Sequence, residues 1–290
     1  MFSLMFISIG ISISFYLSKK ESVSPNIHYS PITQKQYFDD FFSQAGECQN
    51  KDNIYIKGST VNHHLLAGKF IAQGLCAVAT DKKLTIILFS PNHFNHGNSS
   101  AISSVGAWQT PYGQLETNKE LVTKLARTGV LSIDEQPFEE EHGVYNVTPF
   151  IKRTMPNSEI VPIIVKDNIS IDEKNKLIEA VKNNLPTNSI IIASLDFSHY
   201  LTGNQADQED EKSLKIIESV DYLGVKNLNH NNKPDNVDSK PVLEMFLNLM
   251  SQEGAKNFKL LDHSNSAKII GDINLKETTS YIVGVFNMLI

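Results

Sequence analysis

Ser189-Ile190-Ile191-Ile192-Ala193-Ser194-Leu195-Asp196-Phe197-Ser198-His199-Tyr200 is the stretch whose reading decides the fold. A β-branched apolar run bounded by turn-forming residues is the pattern of a strand buried on both faces of a parallel sheet. In open α/β sheets, ligands gather just beyond the carboxyl ends of such strands. There the apolar run stops, and Asp196, Ser198 and His199 follow at once. An Asp and a His three positions apart at a strand end can share one pocket.

The pattern recurs upstream. Leu84 to Phe89 is a second buried-strand run, followed by Ser90-Pro91-Asn92-His93. Ile54 to Thr60 is a weaker third case, with His63 and His64 shortly after. Three strand ends therefore deliver imidazoles toward one edge of a sheet.

Between these runs lie helical patterns. Gln34–Gln49 spaces its aromatics helically, Leu65–Ala79 carries an apolar stripe, and Asn118–Thr128, Asp172–Asn184 and Gln205–Val220 are amphipathic. Pro137–Met155 opens on the acidic run Glu139-Glu140-Glu141, followed by His142, and acids favour the first turn of a helix. Pro241 opens a helix to Met250. Ile160–Val165 is a further strand, and Phe258–Leu261 and Ser280–Phe286 read as closing strands. Ile54–Thr60, the following helix and Leu84–Phe89 make one crossover unit. Ser90–Gly113 reads as a long loop with short extended pieces, a kind of segment that is more often functional than idle. The alternation predicts an α/β fold, a single domain with a mostly parallel central sheet and helices on both faces.

A net charge of −6 with no clustered Lys/Arg patch argues against nucleic acid as a partner, since phosphate-backbone binding needs a basic face. The two cysteines, Cys48 and Cys76, are in no CxxC spacing and suggest neither a disulfide framework nor a thiolate zinc site. Cys76 sits in an apolar helical pattern and reads as packing, with a Cys48–Cys76 bridge left open. Residues 1–18 contain no charged side chain and precede Lys19 and Lys20. A span of ~20 apolar residues crosses a bilayer, so 1–18 is expected to be an N-terminal membrane anchor that localises the protein to a membrane. The flanking lysines favour a cytoplasmic domain. Residues 19–50 are then a linker and edge helix, and 51–290 the α/β domain.

Nine histidines are present. His28, His230 and His263 are read as solvated loop residues. His63, His93, His142 and His199 each lie near a predicted strand end or helix start. Neutral imidazoles with carboxylates are the common ligands of borderline transition metals, and a catalytic site keeps an open position for water or substrate. These histidines with Asp196 would supply a metal and its acid–base groups.

The motifs resemble the Memo family, whose bacterial members are often called AmmeMemoRadiSam system protein B. The carrying segments are Val61-Asn62-His63-His64, Ser90-Pro91-Asn92-His93, Trp108-Gln109-Thr110-Pro111-Tyr112-Gly113, Glu141-His142 with Pro149-Phe150, Val161-Pro162, and Asp196-Phe197-Ser198-His199-Tyr200. The resemblance covers roughly Ser59 to Phe286. It implies a fold like the class III extradiol dioxygenases and a metal, iron(II) first, with copper or zinc as alternatives. It assigns His63 and His93 as metal ligands, and His142, Asp196 and His199 as the remaining pocket residues. The family's third ligand is often a cysteine. Here the corresponding segment is Asn236-Val237-Asp238-Ser239-Lys240-Pro241, in which Val237 cannot coordinate and Asp238 can. Two histidines and a carboxylate form the facial set of non-haem iron(II). As an alternative, Asp238 caps the helix opened by Pro241. Whether His63 or His64 faces the site stays open.

The expected function is metal-dependent redox or dioxygenase-like chemistry on a small substrate. Its alternatives are a non-catalytic protein holding a small-molecule or peptide ligand in the same pocket, and a hydrolase using zinc-bound water. Trp108 and Tyr112 either line the pocket mouth or pack in the interior.

Overall fold

The computed structural model describes residues 26–46, 48, 56–229 and 233–288. Its centre is four parallel strands in the spatial order Glu159–Val165, Thr85–Pro91, Ser189–Ser194, Ile56–Val61. Thr278–Asn287 continues the sheet antiparallel to Ile56–Val61, and Asn257–Asn265 and His199–Leu201 pair with it in turn. The sheet is thus mixed but mostly parallel at its core, as the apolar runs predict.

Those runs are apolar throughout because both faces are covered. Successive side chains of a strand point to opposite faces. Ile86, Leu88, Ile190 and Ile192 therefore pack with Phe38, Phe42, Ile71 and Leu75, from helices Lys35–Ala45 and Gly68–Cys76. Their neighbours Ile87, Phe89, Ile191 and Ala193 pack with Leu121, Leu177, Val181 and Phe246, from Lys119–Arg127, Ile171–Asn184 and Lys240–Gln252. Each fully buried aliphatic side chain of this kind contributes about 1.5–3 kcal/mol.

The strands Ile56–Val61 and Thr85–Pro91 are not neighbours, because Ser189–Ser194 lies between them and pairs with both. The expected crossover unit therefore steps over a strand that enters the sheet more than a hundred residues later. The expected loop Ser90–Gly113 carries two short strands, Ala101–Ser103 and Ala107–Thr110, and Gly113–Thr117 follows as a third. Ile27–Tyr29 adds in parallel to Ala107–Thr110. That pairing seats His28, buried, on Trp108 with ring centroids 4.4 Å apart, and brings its Nε2 to 2.8 Å from Glu135 Oε2. His28 is a structural residue, not a solvated one. Trp108 is core, and Tyr112 bonds Asp39 at 2.7 Å. Both aromatics are packing.

Two further expectations are corrected. Cys48 and Cys76 form a disulfide, with Cα atoms 4.6 Å apart, so Cys76 is not merely a packing residue. No helix among the described residues is long and apolar enough to cross a membrane. The longest, Gly203–Glu218, has 16 residues and an acidic, amphipathic sequence, whereas a span needs ~20 apolar ones. The expected membrane anchor, membrane partner and membrane localisation therefore find no support among the described residues. Residues 1–18, on which that expectation fell, lie outside the described residues.

Candidate metal centre

The carboxyl ends of the parallel strands converge as the sequence predicts. His63 lies two residues beyond Ile56–Val61, His93 two beyond Thr85–Pro91, and Asp196 two beyond Ser189–Ser194. The ring centroids of His63 and His93 are 4.9 Å apart, those of His63 and His142 5.2 Å, and those of His93 and His142 4.1 Å. One nitrogen from each of these three rings lies within 4.8 Å of the others, so they can hold a metal ion. His63, not His64, faces the pocket.

Asp238 is brought in from a distant segment by backbone pairing. Phe197 and Val237 form an antiparallel bridge. Asp238 N–H donates to the Asp196 carbonyl at 3.1 Å, and Asp196 N–H donates to Asp238 Oδ2 at 3.0 Å. Asp238 Oδ2 stands 3.4 Å from His63 Nε2 and 3.8 Å from His93 Nε2. Ser239, not Asp238, caps the helix Lys240–Gln252 by accepting from Val242 N–H. The capping alternative for Asp238 is thereby removed. Asp238 Oδ1 is buried with no hydrogen-bond partner. A buried carboxylate oxygen without a partner costs about 1–3 kcal/mol or more, and this one belongs to a carboxylate whose other oxygen faces two imidazoles.

The tautomers of the two facing rings follow from their outer contacts. Ser194 Oγ donates to the Gly143 carbonyl at 2.7 Å and so accepts from His63 Nδ1 at 3.1 Å. Glu141 Oε1 lies 2.6 Å from His93 Nδ1 and accepts its proton. Both rings therefore turn Nε2 toward Asp238. His199 Nδ1 donates to the Phe197 carbonyl, leaving Nε2 as its free nitrogen.

Electrostatics sorts these groups. Burial, with His93 and His142 beside it, holds His63 well below the usual imidazole range, so it is neutral. Burial and His93 lower His142, and burial lowers His199. Burial also acts to lower His93, but the Asp238 and Glu141 carboxylates beside it carry it up to about 10. Burial and the Asp238 charge push Asp196 up to about 8. Asp196 Oδ1 accepts from His63 N–H at 3.2 Å and holds that residue's backbone, while its Oδ2 lies 3.6 Å from His63 Nε2.

Several site residues carry no clear signal in the sequence. Glu141 enters the sequence as one of three acids at a helix start and beside His142 in a resemblance segment, with no role of its own; in the structure it caps His142–Tyr145 through Gly143 N–H. Ser194 ends an apolar strand. Asp167, beyond Glu159–Val165, bonds Ser239 and is pushed up by burial and by Asp238. Tyr281 is buried on Thr278–Asn287 and lies 2.8 Å from His64 Nδ1. At the rim, exposed Phe94 leans on His142, and Tyr200 beside His199 is exposed with φ of 57°, a strained value for an aromatic residue.

A second cluster reads differently. Asp207, Asp210 and His263 also lie within reach of one cation. Asp210 is fully buried, and its Oδ1 accepts from Ser198 and Ser280 at 2.6 and 2.7 Å. Its Oδ2 lies 2.7 Å from His263 Nε2. His263 is thus a structural partner instead of a loop residue. His230 lies outside the described residues.

A family model described as Memo-like protein matches residues 47–282. Relatives include a MEMO1 family protein of Caldivirga maquilingensis, 30% identical over 206 residues, covering 69% of this chain and 71% of the relative. One from Methanopyrus kandleri is 28% identical over 206 residues, covering 70% and 72%. One from Aquifex aeolicus is 26% identical over 244 residues, covering 81% and 88%.

Proposed function

The chain belongs to the Memo family, and from that premise we propose that it is a metal-dependent redox enzyme of dioxygenase-like type acting on a small substrate. The observation that carries this reading is the buried Asp238 carboxylate, with Oδ1 unpartnered and Oδ2 facing the Nε2 atoms of two imidazoles whose Nδ1 atoms are already engaged. His63 Nε2, His93 Nε2 and the Asp238 carboxylate are the ligand set, with His142 close enough to join it. Two imidazoles and one carboxylate suit iron(II), and no soft sulfur is present to select copper(I). Bound there, such a metal would supply a Lewis acid and a one-electron redox centre.

The chain's own groups then manage protons. Asp196, pushed up by burial and by the Asp238 charge, lies 3.6 Å from His63 Nε2 and is the carboxyl placed to hold or pass a proton within the pocket. His199, lowered by burial, stays neutral and offers Nε2 as an acceptor. His142, also neutral, serves the same end where it does not ligate.

Elemental analysis after anaerobic purification tests the reading. About one metal per chain is expected in the wild type, and near zero in His93→Ala. Stoichiometric metal retained by His93→Ala would overturn the ligand assignment. A protein that stays empty after anaerobic iron(II) loading would overturn the enzyme reading and leave a ligand-binding pocket.

A further inference from the structure

We infer that Glu141 is the positioning residue for His93, and that it makes His93 the stronger donor of two unequal imidazoles. This rests on the reading above in taking His93 as a ligand, but the grip on His93 is a property of the chain itself.

Glu141 is fully buried. Its Oε1 accepts from His93 Nδ1 at 2.6 Å, and its Oε2 from His93 N–H at 2.9 Å. Oε1 also accepts from Gly143 N–H at 2.9 Å. One carboxylate thus holds both the backbone and the ring of His93, which fixes the ring's rotation and which nitrogen faces inward. Gly143 makes the approach feasible: a Cβ there would collide with Ser90 Oγ and lie 3.1 Å from Glu141 Oε1.

The contrast with His63 gives the inference its content. The His63 ring is held by the neutral hydroxyl of Ser194, itself committed to the Gly143 carbonyl. A carboxylate behind an imidazole raises its basicity as a ligand, and removing such a partner lowers metal affinity by about 10–100-fold. A hydroxyl orients without adding charge. The two backing groups meet at Gly143, one through its N–H and the other through its carbonyl.

The test compares wild type, Glu141→Gln and Ser194→Ala, each checked for an unchanged unfolding curve. In metal-free protein, the His93 Nδ1 proton should resonate far downfield in proton NMR of 15N-histidine-labelled material, as expected for a short bond to a charged acceptor. It should move upfield or vanish in Glu141→Gln and persist in Ser194→Ala. With cobalt(II) as the probe, Glu141→Gln should bind about 10–100-fold more weakly, and Ser194→Ala less than tenfold. Persistence of the downfield resonance in Glu141→Gln overturns the inference whatever the metal result. Equal cobalt affinity of Glu141→Gln and wild type overturns the donor inequality. If the wild type binds no cobalt but the resonance depends on Glu141, the positioning role stands and the metal reading alone falls. Should Glu141→Gln fail to fold, Glu141→Asp takes its place. It keeps the charge but lengthens the bond, and a downfield resonance it leaves unshifted would sink the inference equally.

Discussion

The pocket around His63 and the cluster around Asp210 contain the same kinds of side chain and differ in how their lone pairs are spent. In the Asp210 cluster each carboxylate oxygen of the buried acid has a hydrogen-bond donor within 2.7 Å. In the pocket, Asp238 Oδ1 has none, and two imidazole Nε2 atoms turn inward. Both clusters satisfy a distance criterion for metal ligation. Of the two buried acids, only Asp238 keeps an oxygen that no protein donor reaches. A cluster of metal-ligating types therefore says little until its hydrogen bonds have been counted, because buried polar groups are paired as a rule.

The largest effect separates the two clusters outright. His93→Ala should lower iron(II) affinity more than a hundredfold, while His263→Ala leaves it within about threefold, both read by anaerobic titration. A comparable loss in His263→Ala would erase the distinction. Stability should not separate them: His263→Ala strands the buried Asp210 carboxylate and His93→Ala the buried Glu141 carboxylate, and each should cost about 2–4 kcal/mol in urea unfolding.

A smaller effect sharpens the picture within the pocket. Gly143→Ala forces a methyl group against Ser90 and Glu141 and should weaken metal binding by about tenfold, with the Asp210 cluster untouched. The smallest effect is a pH dependence far from both clusters. Burial opposes ionisation of Glu135, but hydrogen bonds from His28, Ser104 and Val105 N–H bring its pKa to about 2. A group depressed below its ordinary value of 4.5 stabilises the fold above that value. The contribution is lost as pH falls from 4.5 toward 2. Glu135→Gln should lower the melting temperature at pH 7 by about 2–4 °C and flatten the acid limb. An unchanged acid limb would remove Glu135 as its source.

Much of the centre was legible because short-range chemistry specifies it. The runs at Thr85–Pro91 and Ser189–Ser194 are apolar on every side, which only a doubly covered strand tolerates, and their ends point to a ligand edge. Asp238 was legible only in part. Its neighbourhood depends on the Phe197–Val237 bridge, a contact across forty residues that no local pattern encodes. The same holds for His28 and His263, whose partners lie 107 and 53 positions away. Residue type alone made them loop histidines. Strand order lies beyond local pattern for a like reason: Ser189–Ser194 enters between two earlier strands, a decision made by the assembled sheet. The Cys48–Cys76 bond was invisible because spacing does not report proximity.

That bond has a consequence for the unfolded chain. It closes a covalent ring of 28 positions in which Ile56–Val61, His63, His64 and the helix Gly68–Cys76 are all enclosed. Ring closure of this size removes roughly 3.5 kcal/mol of disorder from the denatured ensemble. When heat or urea has dispersed the rest of the molecule, the strand Ile56–Val61, the His63 imidazole and the helix behind it remain tied in one loop, so refolding starts with that part of the pocket already gathered.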